Sequence, residues 1–418
     1  MVPSNPTGSR IDLWRDHYAG RAAGMVASEV RALFSVASRP EIVSLAGGMP
    51  NVSALPLESL SELIADLVTR HGARALQYGS AQGDPALREG ICEVMALEGV
   101  HGQPDDIVVT VGSQQGLDLI ARIFLDPGDV VLAEGPTYVT AIGTFSSYQA
   151  QIVHVPMDAD GVVPQALAET LASLRADGRR VKMFYTVPTF HNPAGVTLAA
   201  SRRPEIVEMC RRAGVLVVED NPYGLLALDA EPVRALRADA PEDSVVYLGS
   251  FSKTLAPGLR VGWVLAPPAV RDRLVLAAES AMLSHSAFAQ MVVQQYLATQ
   301  PWGQQLKVFR EMYRQRRDAM LAALAAHMPA GTTWTTPGGG FFVWVKLPTG
   351  VDSKAMLPRA VSARVAYVPG TGFYAHGGGR DHMRLSYCLP PPEDIREGVA
   401  RLGAVIGDEL ALRDAFSE

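Results

Sequence analysis

The stretch GSFSKTLAPGLRVGW, residues 249–263, brings an amine, two hydroxyls and a guanidinium close together. Lys253 follows Ser250 and Ser252, and Arg260 lies a few residues on. A lysine whose charge is disfavoured by desolvation and by a nearby cation can act as a nucleophilic amine near neutral pH. Hydroxyl donors and a guanidinium fork are groups that hold a phosphate dianion. Taken alone, S-x-S-K is also compatible with a lysine on a surface loop. If both halves work together, the ligand carries an aldehyde and a phosphate, and pyridoxal 5′-phosphate is a cofactor with both.

Three other stretches set polar groups where apolar runs stop. VTVGSQQGLDLI (109–120) reads as strand, glycine turn and helix. Ser113 and Gln114 open that helix, either as an ordinary N-cap or as the amide-rich, positive end that suits a phosphate. YTVPTFHNPAG (185–195) sets Asn192 in a turn before a proline. VLVVEDNPYG (215–224) ends an apolar strand in Glu219 and Asp220, with Tyr223 close behind. A carboxylate there is either a turn cap or a charge that must be paired or solvated. Ligands of open α/β sheets bind beyond the carboxyl ends of strands, so these stretches are candidates for one site.

The elements that position them follow from periodicity. Apolar runs IVVTV, VVLA, IVHV, VKMFYT, VLVVE, VVYLG and RVGWVL recur between helical patterns. Most lack polar alternation, as expected for strands covered by helices on both faces. The rhythm predicts an α/β domain with a largely parallel sheet. Helical spacing is also read over 57–68 and 303–328, and over a helix-like stretch at 25–35. After the second of these the pattern changes. TTWTTPGGGFFVWVKL reads as strand, turn, strand, VAYVPG and MRLSYC as short strands, and 393–409 as a closing helix. The run Arg310, Arg314, Arg316, Arg317 is expected to be the solvated face of its helix.

Composition bounds the function. Hydrophobic residues make up 48% and charged residues 19% of the 418, which suits a globular chain with a substantial core. The net charge of −6 argues against a nucleic-acid partner. Three cysteines, far apart in sequence, predict neither a disulfide framework nor a cysteine metal site. The polar start and the lack of any bilayer-length apolar run predict a cytoplasmic protein without a membrane partner.

The motifs SLAGGMPN (44–51), LQYGSAQGDPALRE (76–89), EGPTY (134–138), HNPAG (191–195), PGGGFFVW (337–344), YVPG (367–370) and MRLSYC (383–388), with those above, carry a family resemblance. In order and spacing the chain resembles a fold type I pyridoxal-phosphate aminotransferase of class I/II, in the 2-aminoadipate/kynurenine aminotransferase subgroup. The resemblance implies a large domain with a mostly parallel seven-stranded sheet flanked by helices, plus a smaller α+β C-terminal domain. The expected boundaries are an N-terminal arm and helix over 1–45, a cofactor-binding domain over 46–302 and a small domain over 303–418. It implies ping-pong transfer of an amino group from an L-amino acid to a 2-oxo acid, such as 2-oxoglutarate or pyruvate.

Roles follow by resemblance. Lys253 would hold pyridoxal 5′-phosphate as a Schiff base and later carry the substrate α-proton. Asp220 would pair with the ring nitrogen, Tyr223 and Asn192 with the ring's phenolic oxygen, and Tyr138 would stack on the ring. Ser113, Gln114, Ser250, Ser252 and Arg260 would hold the phosphate. Arg384 would clamp the substrate carboxylate, aided by Asn192, Gly48 and Tyr138. Tyr78 would reach the phosphate of a neighbouring copy, which makes the enzyme a homodimer with shared sites. The amino donor stays open. Relatives that use acidic donors often carry an arm arginine where this chain has Gly24, with Arg21 nearby; Asp16 and Glu29 are candidates to attract a basic side chain, though surface solvation is the more usual role for such carboxylates. His191 replaces a glutamine common in relatives and is expected near the substrate. A lyase, decarboxylase or oxidase is the alternative on the same cofactor, and a ligand sensor without turnover the alternative of another class.

Overall fold

The computed structural model describes residues 14–25, 39–241 and 243–417. Most of the helix-like stretch at 25–35, and Glu29 with it, lies outside the described residues. After strand β1 (Val43–Ser44) and helices α1 (Leu57–Ala75) and α2 (Pro85–Ala96), the chain enters the βα rhythm. Its strands are β2 (Ile107–Thr110), β3 (Val130–Gly135), β4 (Gln151–Asp158), β5 (Gly161–Val162), β6 (Val181–Thr186), β7 (Leu216–Asp220), β8 (Val245–Ser250) and β9 (Gly262–Leu265). They form one sheet in the order β2-β9-β8-β7-β6-β3-β4-β5. From β8 through β7, β6 and β3 to β4 every pairing is parallel. β9 runs antiparallel to both of its neighbours, and β5 adds a two-residue hairpin to β4. The seven expected strands thus make up the sheet, with β5 as a short extension.

Strand period decides what covers each face. Val131, Ala133, Met183, Val218, Val246 and Val264 share a core with α3 (Ser113–Phe124), α4 (Val139–Ser147) and α7 (Pro268–Met282). The alternating Val130, Leu132, Phe184, Val217 and Val245 pack against α5 (Pro164–Ala176) and α6 (Arg203–Ala213). Farther along that face, Val109, Tyr247 and Leu265 meet α1, α2 and α8 (Ala287–Thr299). Burial on both sides explains the uninterrupted apolar runs.

Beyond α9 (Trp302–His327), four strands form an antiparallel sheet in the order β10 (Thr333–Trp334), β11 (Phe342–Lys346), β14 (His382–Ser386), β13 (Val368–Pro369). The run VAYVPG is two strands rather than one: β12 (Val365–Ala366) pairs in parallel with β1, and β13 turns away to β14. Between them Tyr367 is buried, its hydroxyl donated to Ser353 O at the start of α10 (Ser353–Ser362). The closing helix α11 (Pro392–Ser417) packs along α9 and extends past its expected end.

The arginines of α9 are not a solvated face. Arg316 and Arg317 are each only 7% exposed. Arg316 donates to Cys388 O, and Arg317 pairs with Asp229. Arg310 and Arg314 donate to Leu225 O and Leu228 O, both at 2.8 Å. These guanidiniums satisfy carbonyls of the loop that follows Tyr223, a use that the charge pattern alone does not reveal.

One close approach links sheet and site. A Cβ on Gly262 would lie 2.6 Å from Gly112 C and Ser113 N, in the turn that opens α3. Gly262→Ala must therefore push backbone against backbone. It should lower stability by about 1–3 kcal/mol, read as a shifted guanidinium midpoint with an unchanged slope. An unshifted midpoint would show that β9 yields freely there.

Candidate active site

The carboxyl ends of β6, β7 and β8 and the first turn of α3 meet at one edge of the large sheet, and β14 approaches from the small one. A cleft of about 320 Å³ opens there. It is lined by Gly48, Ser113, Gln114, Tyr138, Asn192, Asp220, Tyr223, Ser250, Ser252, Lys253, Arg260 and Arg384, which is every residue given a role toward cofactor or α-carboxylate except Tyr78. Tyr78 is 77% exposed and does not line the cleft.

Asp220 closes β7 and is buried. Its Oδ2 accepts from Tyr185 Oη at 2.8 Å, while Oδ1 is buried without a hydrogen-bond partner among the described residues. Burial pushes its pKa up to about 6, opposed by the Tyr185 hydroxyl and by Lys253. The next residue fixes the turn to Tyr223: Asn221 Nδ2 donates to Glu98 Oε1 (2.8 Å), and Gly224 N donates to Asn221 Oδ1 (3.1 Å). Glu98 is itself pushed up to about 8 by burial.

Lys253 follows β8, half-buried, and its Nζ donates to Gly48 O at 3.0 Å. Burial lowers its pKa, and the Arg384 and Arg260 cations act in the same direction. Both effects favour the neutral, nucleophilic amine.

At the other end, Arg260 Nη2 donates to Val111 O at 3.0 Å, from a residue with φ of +55°. A Cβ on Gly112 would come within 2.8 Å of that guanidinium, so only glycine leaves the room. Ser250 Oγ donates to Ser252 Oγ (2.9 Å) and accepts from Ser252 N (3.1 Å). Gln114 Nε2 donates to Thr144 Oγ1 at 2.7 Å, leaving Oε1 buried and unpartnered.

Arg384, on β14, is buried. Nη1 donates to Asn192 Oδ1 (2.9 Å) and Nη2 to Ala46 O (2.8 Å), while Nε is buried without a partner. The guanidinium lies over Phe342, 4.1 Å from the ring centroid, with Phe373 at 5.1 Å. Burial brings its pKa down to about 10, so it remains a cation at neutral pH.

Phe342, Tyr185 and Thr144 are among the residues of the site that were not anticipated. Phe342 lies in a quoted motif, so a signal existed. Tyr185 sits in an apolar run where nothing separates it from a core tyrosine. Thr144 is an ordinary helix residue until α4 folds over α3. Two expectations need correction. His191 is buried at 1% exposure and does not line the cleft, because its ring turns back to Glu134. Arg21 lies in the turn Gly20–Gly24 beside α4, within electrostatic reach of Tyr148, and does not line the cleft.

The site fits pyridoxal 5′-phosphate on its own terms. An unpartnered buried carboxylate oxygen suits a ring N–H, a lysine of lowered pKa suits an aldehyde, and Ser250, Ser252, Arg260 and the α3 terminus suit a phosphate. Fold and cleft together define a fold type I pyridoxal-phosphate enzyme. Comparison with known proteins carries this further. The family model for aminotransferase class I and II matches residues 41–402. Aromatic-amino-acid aminotransferase 1 of Thermococcus litoralis is 42% identical over 398 residues, covering 95% of each chain. Pyrococcus horikoshii kynurenine aminotransferase, solved in complex with PMP, has a TM-score of 0.92 at 41% identity, covering 96% of this chain and 100% of the other. Alpha-aminoadipate aminotransferase from Thermus thermophilus, complexed with N-(5′-phosphopyridoxyl)-L-leucine, has a TM-score of 0.87 at 36% identity, covering 96% and 99%. The chain belongs to aminotransferase class I and II, and it is a transaminase dependent on pyridoxal phosphate.

Asp220 gives the cofactor-free protein a pH dependence with a definite sign. Its folded pKa of about 6 lies above the ordinary carboxylate value, so the fold holds the proton more tightly than the unfolded chain. Its contribution to stability falls as pH rises from about 4 to about 6, and stays low above that. Asp220→Asn should therefore stabilise the cofactor-free protein at pH 7.5 by about 1–3 kcal/mol, and the difference from wild type should vanish near pH 4. Urea midpoints of both proteins across this range test it. An asparagine variant no more stable at pH 7.5 would mean that the buried charge is already compensated.

Proposed function

We propose that the enzyme moves the amino group of a neutral, preferably aromatic, L-amino acid to a 2-oxo acid such as 2-oxoglutarate or pyruvate. The observation that carries this reading is the convergence of Lys253, the unpartnered Asp220 Oδ1 and the stacked Arg384 on one cleft whose remaining wall is apolar. Among the described lining residues the cations are Lys253, Arg260 and Arg384, all with assigned work. Met49, Val139, Val187 and Phe342 offer an apolar surface to a side chain, and no further cation there suits a distal carboxylate. Similarity to enzymes named for aromatic amino acids and for kynurenine, and to a structure holding a leucine adduct, supports the neutral donor.

When bound, pyridoxal phosphate supplies an aldehyde carbon for the amine and a cationic ring that accepts the electrons of a broken bond to the substrate α-carbon. Lys253 Nζ would hold the cofactor covalently and, once freed, would be placed to carry the proton of the substrate α-carbon. Asp220 Oδ1 would accept from the ring N–H, and its charge would favour the protonated nitrogen. Asn192 Oδ1 is committed to Arg384, so its Nδ2 is free to donate to the ring's phenolic oxygen, together with Tyr223. Tyr138 covers the ring. Ser113, Gln114, Ser250, Ser252 and Arg260 hold the phosphate. Arg384 takes the α-carboxylate in a two-bond fork, with the backbone at Gly48 beside it, and so aims the α-hydrogen at Lys253.

In this reading residues 46–302 form the cofactor-binding unit and 303–418 bring the carboxylate clamp. The active assembly is a homodimer. Exposed Leu76, Tyr78 and Leu283 support it, on segments joined by Gly79 N donating to Ser284 Oγ. Tyr78 then serves the phosphate of the partner copy. The free thiols of Cys92, Cys210 and Cys388 suit a reducing compartment such as the cytoplasm.

Half-reactions without an oxo acid test the reaction and donor class together. Loss of the cofactor's aldehyde-form absorption is expected with L-phenylalanine and L-leucine, and its return with 2-oxoglutarate or pyruvate. Faster conversion by L-2-aminoadipate than by L-phenylalanine would sink the neutral-donor reading. Release of carbon dioxide, ammonia or peroxide in place of reversal would make the protein a decarboxylase, lyase or oxidase. Arg384→Ala should cost about 2–4 kcal/mol in kcat/KM, roughly 30- to 1,000-fold, mainly through KM. An unaltered KM would remove Arg384 from carboxylate binding.

A further inference from the structure

Directly behind the cleft lies a buried acid–base couple that lines no part of it. Glu134, near the end of β3, and His191, beside Asn192, are each 1% exposed. Glu134 Oε1 accepts from Thr186 Oγ1 and Oε2 from Val187 N, both at 2.8 Å. His191 Nε2 stands 3.0 Å from Glu134 Oε2, in close polar contact but not aligned for a hydrogen bond among the described residues. His191 Nδ1 accepts from Ala194 N at 3.2 Å, which requires the other ring nitrogen, the one facing the carboxylate, to carry a proton. The backbone of the same residue closes the turn: His191 N donates to Val196 O (2.8 Å), and Gly195 N donates to His191 O (2.6 Å).

That turn presents Asn192. The plane of the Arg384 guanidinium is set by Phe342, and one edge is held by Ala46 O. Asn192 Oδ1 holds the other edge at 2.9 Å. A shift of Asn192 therefore rotates the fork that must meet a carboxylate with two parallel bonds. A misplacement of about 1 Å in such a site can cost on the order of a hundredfold.

We propose that the Glu134–His191 couple is a positioning device for the Arg384–Asn192 carboxylate clamp. This rests on the reading of Arg384 as that clamp. Glu134 gathers three segments on one carboxylate: β3, on which it lies, the end of β6 through Thr186 and Val187, and the Asn192 turn through His191. Neither residue touches substrate. Loss of the imidazole takes a polar ring edge away from a buried carboxylate, and the nearby turn is the element free to move in response.

The test uses the cofactor-loaded enzyme and 3-phenylpropionate, a carboxylate with an aromatic tail and no amine to react. Binding is titrated through the cofactor's absorption band, and the unfolding midpoint is read in parallel. His191→Leu fills the volume but cannot donate to Glu134. His191→Gln has an amide N–H for Glu134 and an oxygen for Ala194 N. Weakening of 3-phenylpropionate binding by about tenfold in the leucine variant is expected, with the glutamine variant within about twofold of wild type. In L-phenylalanine half-reactions the same leucine variant should show the loss in half-saturation, with the saturating rate within about threefold. Unchanged binding in the leucine variant overturns the proposal. Equal weakening in both variants also overturns it, since the polar contact with Glu134 would then not be what matters. Arg384→Ala, titrated alongside, separates the failures: unchanged binding there removes the clamp itself, and the positioning role with it.

Discussion

The site depends on leaving one buried carboxylate oxygen without a partner. Asp220 ends a strand covered on both faces, with Tyr185 serving one oxygen while the other lacks an aligned hydrogen bond among the described residues. Desolvation disfavours its charge, and the same desolvation acts on Lys253 and Arg384. All three charged forms are thus raised in free energy before any ligand arrives. A ligand with a cationic ring nitrogen, an aldehyde and a carboxylate-bearing partner relieves them in turn. Affinity and reactivity here have the same source, which is burial rather than any single contact.

Topology makes that arrangement possible. A parallel strand delivers its carboxyl end to the same edge as its neighbours, so Asp220 after β7 and Ser250 with Lys253 after β8 arrive side by side. The antiparallel β9 between β8 and β2 then returns the chain so that Gly262 abuts the Gly112–Ser113 turn. This contact sets the α3 terminus beside Arg260. The clamp comes from the other sheet, where Arg384 pairs across β11 with Trp344, close to Phe342. Cofactor groups and substrate group therefore sit on separate sheets that converge at the cleft, with α9 and a shared apolar core joining them behind it.

Much of this was legible from residues. Uninterrupted apolar runs gave the strands, because two-sided burial leaves no polar alternation to confuse them. The groups that bear chemistry were readable because their types are costly to bury without a purpose. Residues that support them were not. Tyr185 reads as core until β6 lies beside β7, and Thr144 gains its role only when α4 crosses α3. The α9 arginines look like a solvated face, yet Arg316 and Arg317 are buried by loop carbonyls and Asp229 far away in sequence. VAYVPG reads as one strand because a change of sheet at Tyr367 leaves no trace in periodicity.

His191 shows how a correct signal can be misplaced. An unusual residue next to Asn192 does bear on the substrate, but not by touching it. A side chain adjacent in sequence to a cleft residue points away when the turn is tight, and here it meets Glu134 in the sheet. The cation that reads a carboxylate needs its orientation fixed more tightly than its position, since a planar fork loses both bonds on a modest rotation. Stacking on Phe342 fixes the plane but allows rotation within it. Hydrogen bonds at both edges remove that freedom, and Ala46 O supplies one from backbone. Asn192 must supply the other while sparing its amide N–H for the cofactor, so its turn has to be rigid. A buried carboxylate held by the end of β6 and in polar contact with the turn is a compact way to make it so.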